Sequence, residues 1–187
     1  LAHHAAKTGA VDRADELYAE ALGLAEERQT AAWLELQRGL LDLERDRLDE
    51  AAAHYRAAAA RFSGWWLVDE HLAEIDAKQG KRDSAIAAYR ELVVRTGNPE
   101  FMDALAELLI TDTPQEATQW RARARAEYER RLARFPAATY GHALEHFLAA
   151  PDGAAKSLEL ARANQRVRPG PDADALLARA EARARPE

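Results

Sequence analysis

Three side chains in the C-terminal half have the types and spacing of metal ligands. His142 and His146 lie four residues apart, and Glu145 immediately precedes the second of them. On a helix, this spacing would place both imidazoles on one face with a carboxylate beside them. Imidazole and carboxylate groups can bind zinc without any thiolate, and the chain has no Cys. The segment therefore raises the hypothesis of a metal-binding or metal-dependent hydrolytic module using His142, Glu145 and His146.

Other features of the sequence argue against an enzyme. The order H-x-x-E-H occurs in inverted zinc proteases, where a further Glu lies well downstream in a larger mixed fold, but only a short segment follows His146 here. A catalytic zinc also needs a third protein ligand and an open coordination position. The sequence contains neither a G-x-S-x-G motif nor a glycine-rich phosphate loop. We therefore expect no enzyme, no cofactor and no bound metal, and we keep the metal module as the alternative.

The composition predicts an all-α protein. The chain has 187 residues, with 44 Ala and 23 Leu against five Val and three Ile, and these common residues favour helices over strands. Apolar residues recur at spacings of three and four between the seven prolines, which is typical of amphipathic helices. No apolar run approaches the roughly 18 to 20 residues that a membrane span needs. We therefore expect no span.

The same periodicity sets the positions of the elements. It predicts helices near 1–8, 11–27, 29–45, 48–62, 65–79, 82–96, 99–111, 114–135, 138–150, 154–168 and 172–185. Asp12, Asp83 and Asp152 are predicted to cap the first turns of three of them, because a carboxylate can accept hydrogen bonds from free amides there. Trp33 and the pair Trp65-Trp66 begin two further helices and are predicted to pack in the core, with peptide anchoring as the alternative.

An internal repeat is visible in the second helix of each pair. Three segments carry a small residue followed four residues later by Tyr, and these segments recur at nearly equal intervals along the chain. A small residue lets two helices approach closely, and an aromatic ring four residues later lies on the same face. Each hairpin would then leave an apolar face that only its neighbour can cover. The predicted anchors are Ala14 with Tyr18, Ala51 with Tyr55, and Ala85 with Tyr89.

At these residues the sequence resembles the tetratricopeptide repeat family, whose second helix carries an Ala-x-x-x-aromatic signature. In the first helices, Gly39 and Ala73 occupy the small-residue position, and Leu1-Ala2 matches the Leu-small pair of a truncated copy. The resemblance implies a right-handed α-solenoid of about five antiparallel helix hairpins and a terminal helix. It also implies that residues 1–187 form a single array, a fragment of a longer protein that begins inside a repeat.

The resemblance is clear over 1–99 and loose over 100–187. Between Pro114 and Arg134 the helical pattern runs on for longer than the family's second helix. Either Ala117 or Ala124, with Tyr128, would serve as the anchor there, and the register between 100 and 136 stays open.

The resemblance further implies a concave groove, lined by the first helices, that binds a protein or peptide segment. Some family members hold the terminal carboxylate of chaperone tails with Lys, Asn and Arg, but the corresponding residues here are His3, Leu67 and His71. We therefore expect a non-enzymatic interaction scaffold that does not bind chaperone tails. Self-association through terminal repeats is a further possibility. The residues expected to face the groove are His3, Lys7, Gln37, Glu70, His71 and Glu74.

Charge is distributed unevenly along the chain. Residues 1–113 hold 13 Lys or Arg against 22 Asp or Glu, and residues 114–187 hold 13 against 10. The basic stretch 120–134 could contact phosphates, but Glu127 and Arg131 are spaced to pair on a helix surface. We therefore favour a solvated helix face and expect no nucleic-acid partner.

The excess of Arg over Lys favours a bacterial source, and both cytoplasm and periplasm stay open as compartments.

Overall fold

The predicted helices are present in the computed structural model, which describes residues 1–185. Over this part of the chain there are eleven helices and no strand, so the predicted all-α class is confirmed. The helices are α1 (Ala2–Lys7), α2 (Val11–Gly23), α3 (Arg28–Leu43), α4 (Leu48–Arg61), α5 (Trp66–Lys78), α6 (Arg82–Thr96), α7 (Pro99–Leu109), α8 (Pro114–Arg134), α9 (Pro136–Ala149), α10 (Ala154–Val167) and α11 (Pro171–Ala184). α2 ends four residues before its predicted end, and α9 begins two residues before its predicted start.

Consecutive helices pack against each other within two compact units. The first unit comprises Leu1–Thr96, in which each helix from α1 to α5 contacts the next one, and the second begins at Gly97 and contains α7 to α11, packed in the same sequential way. This arrangement confirms the predicted α-solenoid type of fold. That residues 1–187 form a single array stays a prediction. Among the described residues, none of the helices combines the length and apolarity required to cross a membrane.

The backbone conformation of the turns repeats together with the sequence motif. Gly9 and Gly80 have φ of 81° and 75°, and Asp46 has φ of 58° at the equivalent turn between α3 and α4. A left-handed residue after a first helix turns the chain back towards the second helix, and Asp is one of the few residues with a side chain that tolerates this conformation. The three turns recur at the same intervals along the chain as the small-residue anchors.

The cores of the first unit form around the small-residue and Tyr pairs. Ala14 and Tyr18 are buried with Leu34 and Leu41. Tyr55 is fully buried in a second cluster, where its ring lies directly against Gly39 of α3. The ring fills the space that the missing side chain leaves, so this glycine sets how closely α3 and α4 approach.

The second unit has its own core, which identifies the repeat register in α8. Ala117 and Ala124 are both fully buried. Only Ala124 belongs to the cluster that also contains Tyr128, Phe147 and Leu160. Because the helix is 21 residues long, it offers two buried small residues, and the one four residues before Tyr128 is the equivalent of the anchors in the first unit.

Two local predictions are wrong. Asp12 and Asp83 lie within the first turns of α2 and α6 rather than at N-cap positions, and Asp152 precedes the N-cap Gly153 and instead binds Arg125. In the first turn the Asp12 and Asp83 carboxylates still face the positive end of the helix dipole.

The second wrong prediction is that the tryptophans pack in the core. Trp33 and Trp66 remain 44% and 43% exposed, and only Trp65 packs partly against a core cluster. Trp33 lies beside the buried Tyr18, with ring centroids 6.0 Å apart and the two rings nearly perpendicular.

We expect Gly39→Ala to lower the free energy of unfolding by about 1–3 kcal/mol, because overpacking forces neighbouring groups to shift. The added Cβ would lie less than 3.0 Å from atoms of the buried Tyr55 ring. Gly141→Ala is the matched control. There the Cβ would meet only Asn164 at 3.8 Å, so Ala should stabilise α9 by about 0.5–1 kcal/mol. Urea unfolding measures both values, and equal effects of the two substitutions would contradict the close packing at Gly39.

Candidate functional site

A groove of about 600 Å³ lies between α7, α8 and α9 in the second unit. We call it the α7–α9 groove. The faces of α7 and α9 opposite to it are apolar and buried, through Phe101 and Leu105 on α7 and Leu144 and Phe147 on α9. Amphipathicity therefore leaves the polar stripe of each helix to form the groove. Its lining includes Glu100, Asp103, Glu107, Thr118, Arg121, Ala122, Arg125, Tyr128, Gly141, His142, Glu145, His146, Ala149 and Asp152.

Two imidazole–carboxylate pairs connect α7 and α9 along this groove. His146 Nδ1 lies 2.9 Å from both carboxylate oxygens of Asp103, and His142 Nδ1 contacts Glu100 Oε1. The His146 ring also packs against Tyr128, with ring centroids 5.1 Å apart. Because the histidines are four residues apart on α9 and the acids three apart on α7, the two pairs form successive contacts along both helices. They connect the two helices along the groove.

The H-x-x-E-H residues do not form a metal site. His142 and His146 each face a different carboxylate of α7. Glu145 points to α11, where its two oxygens accept hydrogen bonds from Arg179 at 2.7 and 2.9 Å. Their i and i+4 spacing places the imidazoles beside the acids of a neighbouring helix instead of around a common ion. Within residues 1–185, the ligand atoms that do come close together in a group of three belong to Glu70, His71 and Glu74.

Hydrogen bonding between His142 and Glu100 shifts the pKa of both groups. It raises the pKa of His142, and it lowers the pKa of Glu100. Behind them, burial raises the pKa of Tyr128, whose phenol therefore stays neutral. Hydrogen bonding thus favours the charged forms of the pair, whereas burial favours the neutral form of the phenol behind it.

Two charged residues of the groove differ from these pairs because they form no ion pair within the described part of the chain. Glu107 on α7 and Arg121 on α8 are exposed. Neither has an ion pair with any residue of the described range 1–185. Ala122 and Ala149 add small apolar surfaces to the same groove. The groove therefore presents one available charge of each sign beside an apolar surface, a combination suited to binding.

Three arginines of the basic stretch 120–134 are paired with acidic side chains. Arg130 and Arg131 both bond to Glu127, at 2.6 and 2.7 Å, and Arg125 reaches Asp152 at 2.9 Å. The predicted Glu127–Arg131 pair is thus confirmed. Hydrogen bonds from Arg130 and then Arg131 lower the pKa of Glu127 to about 2. These ion pairs favour the interpretation of a solvated helix face.

The six residues predicted to face a groove in the first unit lie on its alternate helices. His3 and Lys7 are exposed on α1, Gln37 lies on α3, and the other three lie on α5. The Tyr18 hydroxyl donates to Gln37 Oε1 at 3.4 Å, and the His71 ring stacks on Tyr55.

Gln37 and His71 lie at corresponding places on the first helices of successive hairpins, α3 and α5. Each contacts the Tyr of the preceding helix, so they occupy equivalent repeat positions. On α5 itself, the structure brings Glu70, His71 and Glu74 together.

Sequence reasoning missed the acidic side of the α7–α9 groove. Glu100, Asp103 and Glu107 follow a helical spacing of three and four, on the stripe opposite Phe101 and Leu105. The spacing of these acids is a signal that the sequence offers for this side of the groove. The pairing of Asp103 with His146 could not be predicted, because the two residues lie 43 positions apart along the chain.

Comparisons with known proteins identify the fold. Neither a family model nor a curated protein sequence matches the chain. Among solved structures, it is similar to a tetratricopeptide repeat protein from Parabacteroides merdae, with a TM-score of 0.61 and 17% identity over 97% of this chain and 74% of the other. YrrB, described as a TPR protein with an unusual peptide-binding site, gives a TM-score of 0.54 and 18% identity over 97% and 88%.

A third similar structure is the Rap conjugation gene regulator of plasmid pLS20, in complex with the Phr* peptide. Its TM-score is 0.60 and its identity 16%, over 97% of this chain and 57% of the regulator. At these identities the likeness concerns the fold alone: the chain has the fold of tetratricopeptide repeat proteins.

We expect the His142–Glu100 pair to stabilise the protein mainly between the pKa values that Glu and His have in the unfolded chain. The raised pKa of His142 contributes stability below about pH 6.5, which is lost as the pH rises through the folded value. The lowered pKa of Glu100 contributes stability that is lost as the pH falls below about 4.5.

Glu100→Gln should therefore destabilise the protein near pH 5.5 and much less near pH 8.5, as measured by urea unfolding. Since the His142 side chain is 61% exposed, the effect should stay below about 1 kcal/mol. Glu181→Gln on α11, an exposed acid far along the chain, should have little effect at either pH. A destabilisation by Glu100→Gln that does not change with pH would contradict the assignment.

Proposed function

We propose that this protein is a non-enzymatic interaction scaffold that binds a peptide or protein segment in the α7–α9 groove. The observation that carries the proposal is the groove itself, about 600 Å³ in volume, which lies within the usual range for ligand sites of about 300–1,000 Å³. Its position between successive helix pairs is the kind of surface that helical-repeat proteins use for extended ligands. Two proteins of the same fold, YrrB and the Rap regulator, are described with a peptide-binding site and with a bound peptide, which supports a peptide as the ligand class.

The chemistry of the groove favours binding over reaction. His142, Glu145 and His146 are held by three different partners, so they do not act together on one substrate atom. The charges that remain available, Glu107 and Arg121, can each receive an opposite charge or a polar backbone group of a bound segment. We expect a ligand that carries both charge signs around a small apolar side chain placed against Ala122 and Ala149.

The first unit offers a second proposed contact surface. Its members are His3, Lys7, Gln37, Glu70, His71 and Glu74, and the equivalent contacts of Gln37 and His71 with Tyr18 and Tyr55 support a shared face. Self-association through terminal repeats stays a prediction. The ion pairs of Arg125, Arg130 and Arg131 support the expectation that nucleic acid is not a partner.

A bulky side chain in the groove should abolish peptide binding without changing the fold. Ala122 and Ala149 are exposed and line the groove, so Ala122→Trp and Ala149→Trp would fill it. Peptides selected by the wild-type protein from a phage-displayed random library should bind each variant at least about tenfold more weakly, a loss of about 1.4 kcal/mol.

The matched control is Ala182→Trp, at an exposed alanine of α11 outside the groove, which should bind the same peptides as tightly as the wild type. Equal binding by all four proteins would contradict the assignment of the ligand to this groove. If Glu70→Ala combined with Glu74→Ala abolishes binding while both Trp variants retain it, the ligand binds the first unit instead.

A further inference from the structure

A second cluster of functional groups lies in the first unit, apart from the α7–α9 groove. On α5, Glu70, His71 and Glu74 each place one potential ligand atom within 4.8 Å of the others. His71 Nδ1 is 3.3 Å from Glu70 Oε2 and 3.4 Å from Glu74 Oε2. All three residues are partly buried, so their charges are screened less than those of surface groups.

The distances in this cluster are longer than those of strong hydrogen bonds and match the spacing of ligand atoms around one cation. A charge-assisted N–H···O bond has a typical length of about 2.7–2.9 Å. Two ligand atoms that bind one ion at about 2.0–2.2 Å with tetrahedral angles lie about 3.4 Å apart. The imidazole nitrogen therefore stands at coordination spacing from both carboxylates.

The two carboxylates carry like charges at close spacing on α5. Glu70 and Glu74 are four residues apart on one helix, a spacing at which like charges destabilise the helix. Lys78 lies 3.7 Å from Glu74 through the other oxygen, Oε1. A cation bound between the two carboxylates would relieve their mutual repulsion.

The repeat tyrosines surround the cluster as outer groups. Tyr89 donates a hydrogen bond to Glu70 Oε1 at 3.3 Å, and the Tyr55 ring stacks on His71 with centroids 5.0 Å apart. The Tyr55 hydroxyl is fully buried and has no hydrogen-bond partner among the described residues. Its O–H is therefore a donor that a metal-bound water or carboxylate could use.

We propose that Glu70, His71 and Glu74 bind a divalent transition-metal ion, with zinc as the representative probe. One imidazole nitrogen and two carboxylate oxygens form a ligand set that first-row divalent ions accept. The inference is independent of peptide binding in the α7–α9 groove.

Zinc titration distinguishes this site from the other histidines. We would use His3→Ala with His4→Ala as the parent protein, to remove the exposed histidine pair of α1. Isothermal titration calorimetry with ZnCl₂ should give one site per chain with a dissociation constant in the micromolar range. Glu70→Gln with Glu74→Gln should weaken it at least about tenfold, since neutral amides are poorer ligands than carboxylates. Circular dichroism checks that the variant remains folded.

The matched control is Glu145→Gln with His146→Gln, which alters the H-x-x-E-H segment and should leave zinc affinity unchanged. A second measurement guards against indirect effects: zinc should raise the midpoint of thermal unfolding for the parent and the control, but not for Glu70→Gln with Glu74→Gln. Zinc binding that is absent, that survives the Glu70 and Glu74 substitutions, or that is lost in the control would overturn the proposal.

Discussion

The structure depends on one contact, a tyrosine ring of the second helix of a hairpin packed against a small residue of the first. Tyr55 lies directly against Gly39, where even a methyl group would collide with the ring. The approach of α3 and α4 follows from that fit, because a core packed at crystal-like density has no spare volume. The other side of the same ring stacks on His71 of α5, so it also positions the first helix of the next hairpin. In the second unit, Tyr128 has the equivalent relation to His146.

These rings link the stability of the fold to both proposed sites. Tyr55 supports the Glu70, His71 and Glu74 cluster, and Tyr128 lies behind the α7–α9 groove. Each site uses polar residues from the first helices of hairpins, whose apolar faces are committed to the core. The charged groups differ between the units: in the second, histidines and acids neutralise each other between α7 and α9, whereas in the first, two carboxylates crowd one imidazole on a single helix. The pairs of the second unit line the α7–α9 groove, and the cluster of the first unit is the proposed cation site.

Sequence reasoning succeeded where the information was local. Helix positions follow from apolar spacing, and the repeat follows from a small residue and a Tyr four positions apart, because both patterns are set by one turn of helix. It is less informative where the partner of a side chain lies on a neighbouring helix. The segment His142 to His146 has the spacing of a metal site, yet its imidazoles face acids about 43 residues away in the chain. Ala117 and Ala124 were both reasonable anchors, and both are buried. The position of Trp33 and Trp66 at helix starts predicts core packing, but both side chains remain more than two-fifths exposed.

The central claim, that the α7–α9 groove is the binding surface, is tested most directly by alanine-methyl NMR during titration with a peptide selected by the wild-type protein. The chain offers reporters at Ala122 and Ala149 in the groove, with exposed references at Ala53 on α4 and Ala182 on α11. The account predicts that the methyl resonances of Ala122 and Ala149 shift as the peptide saturates the protein, while those of Ala53 and Ala182 stay in place. Shifts confined to residues of α1 to α6, with Ala122 and Ala149 unchanged, would contradict it.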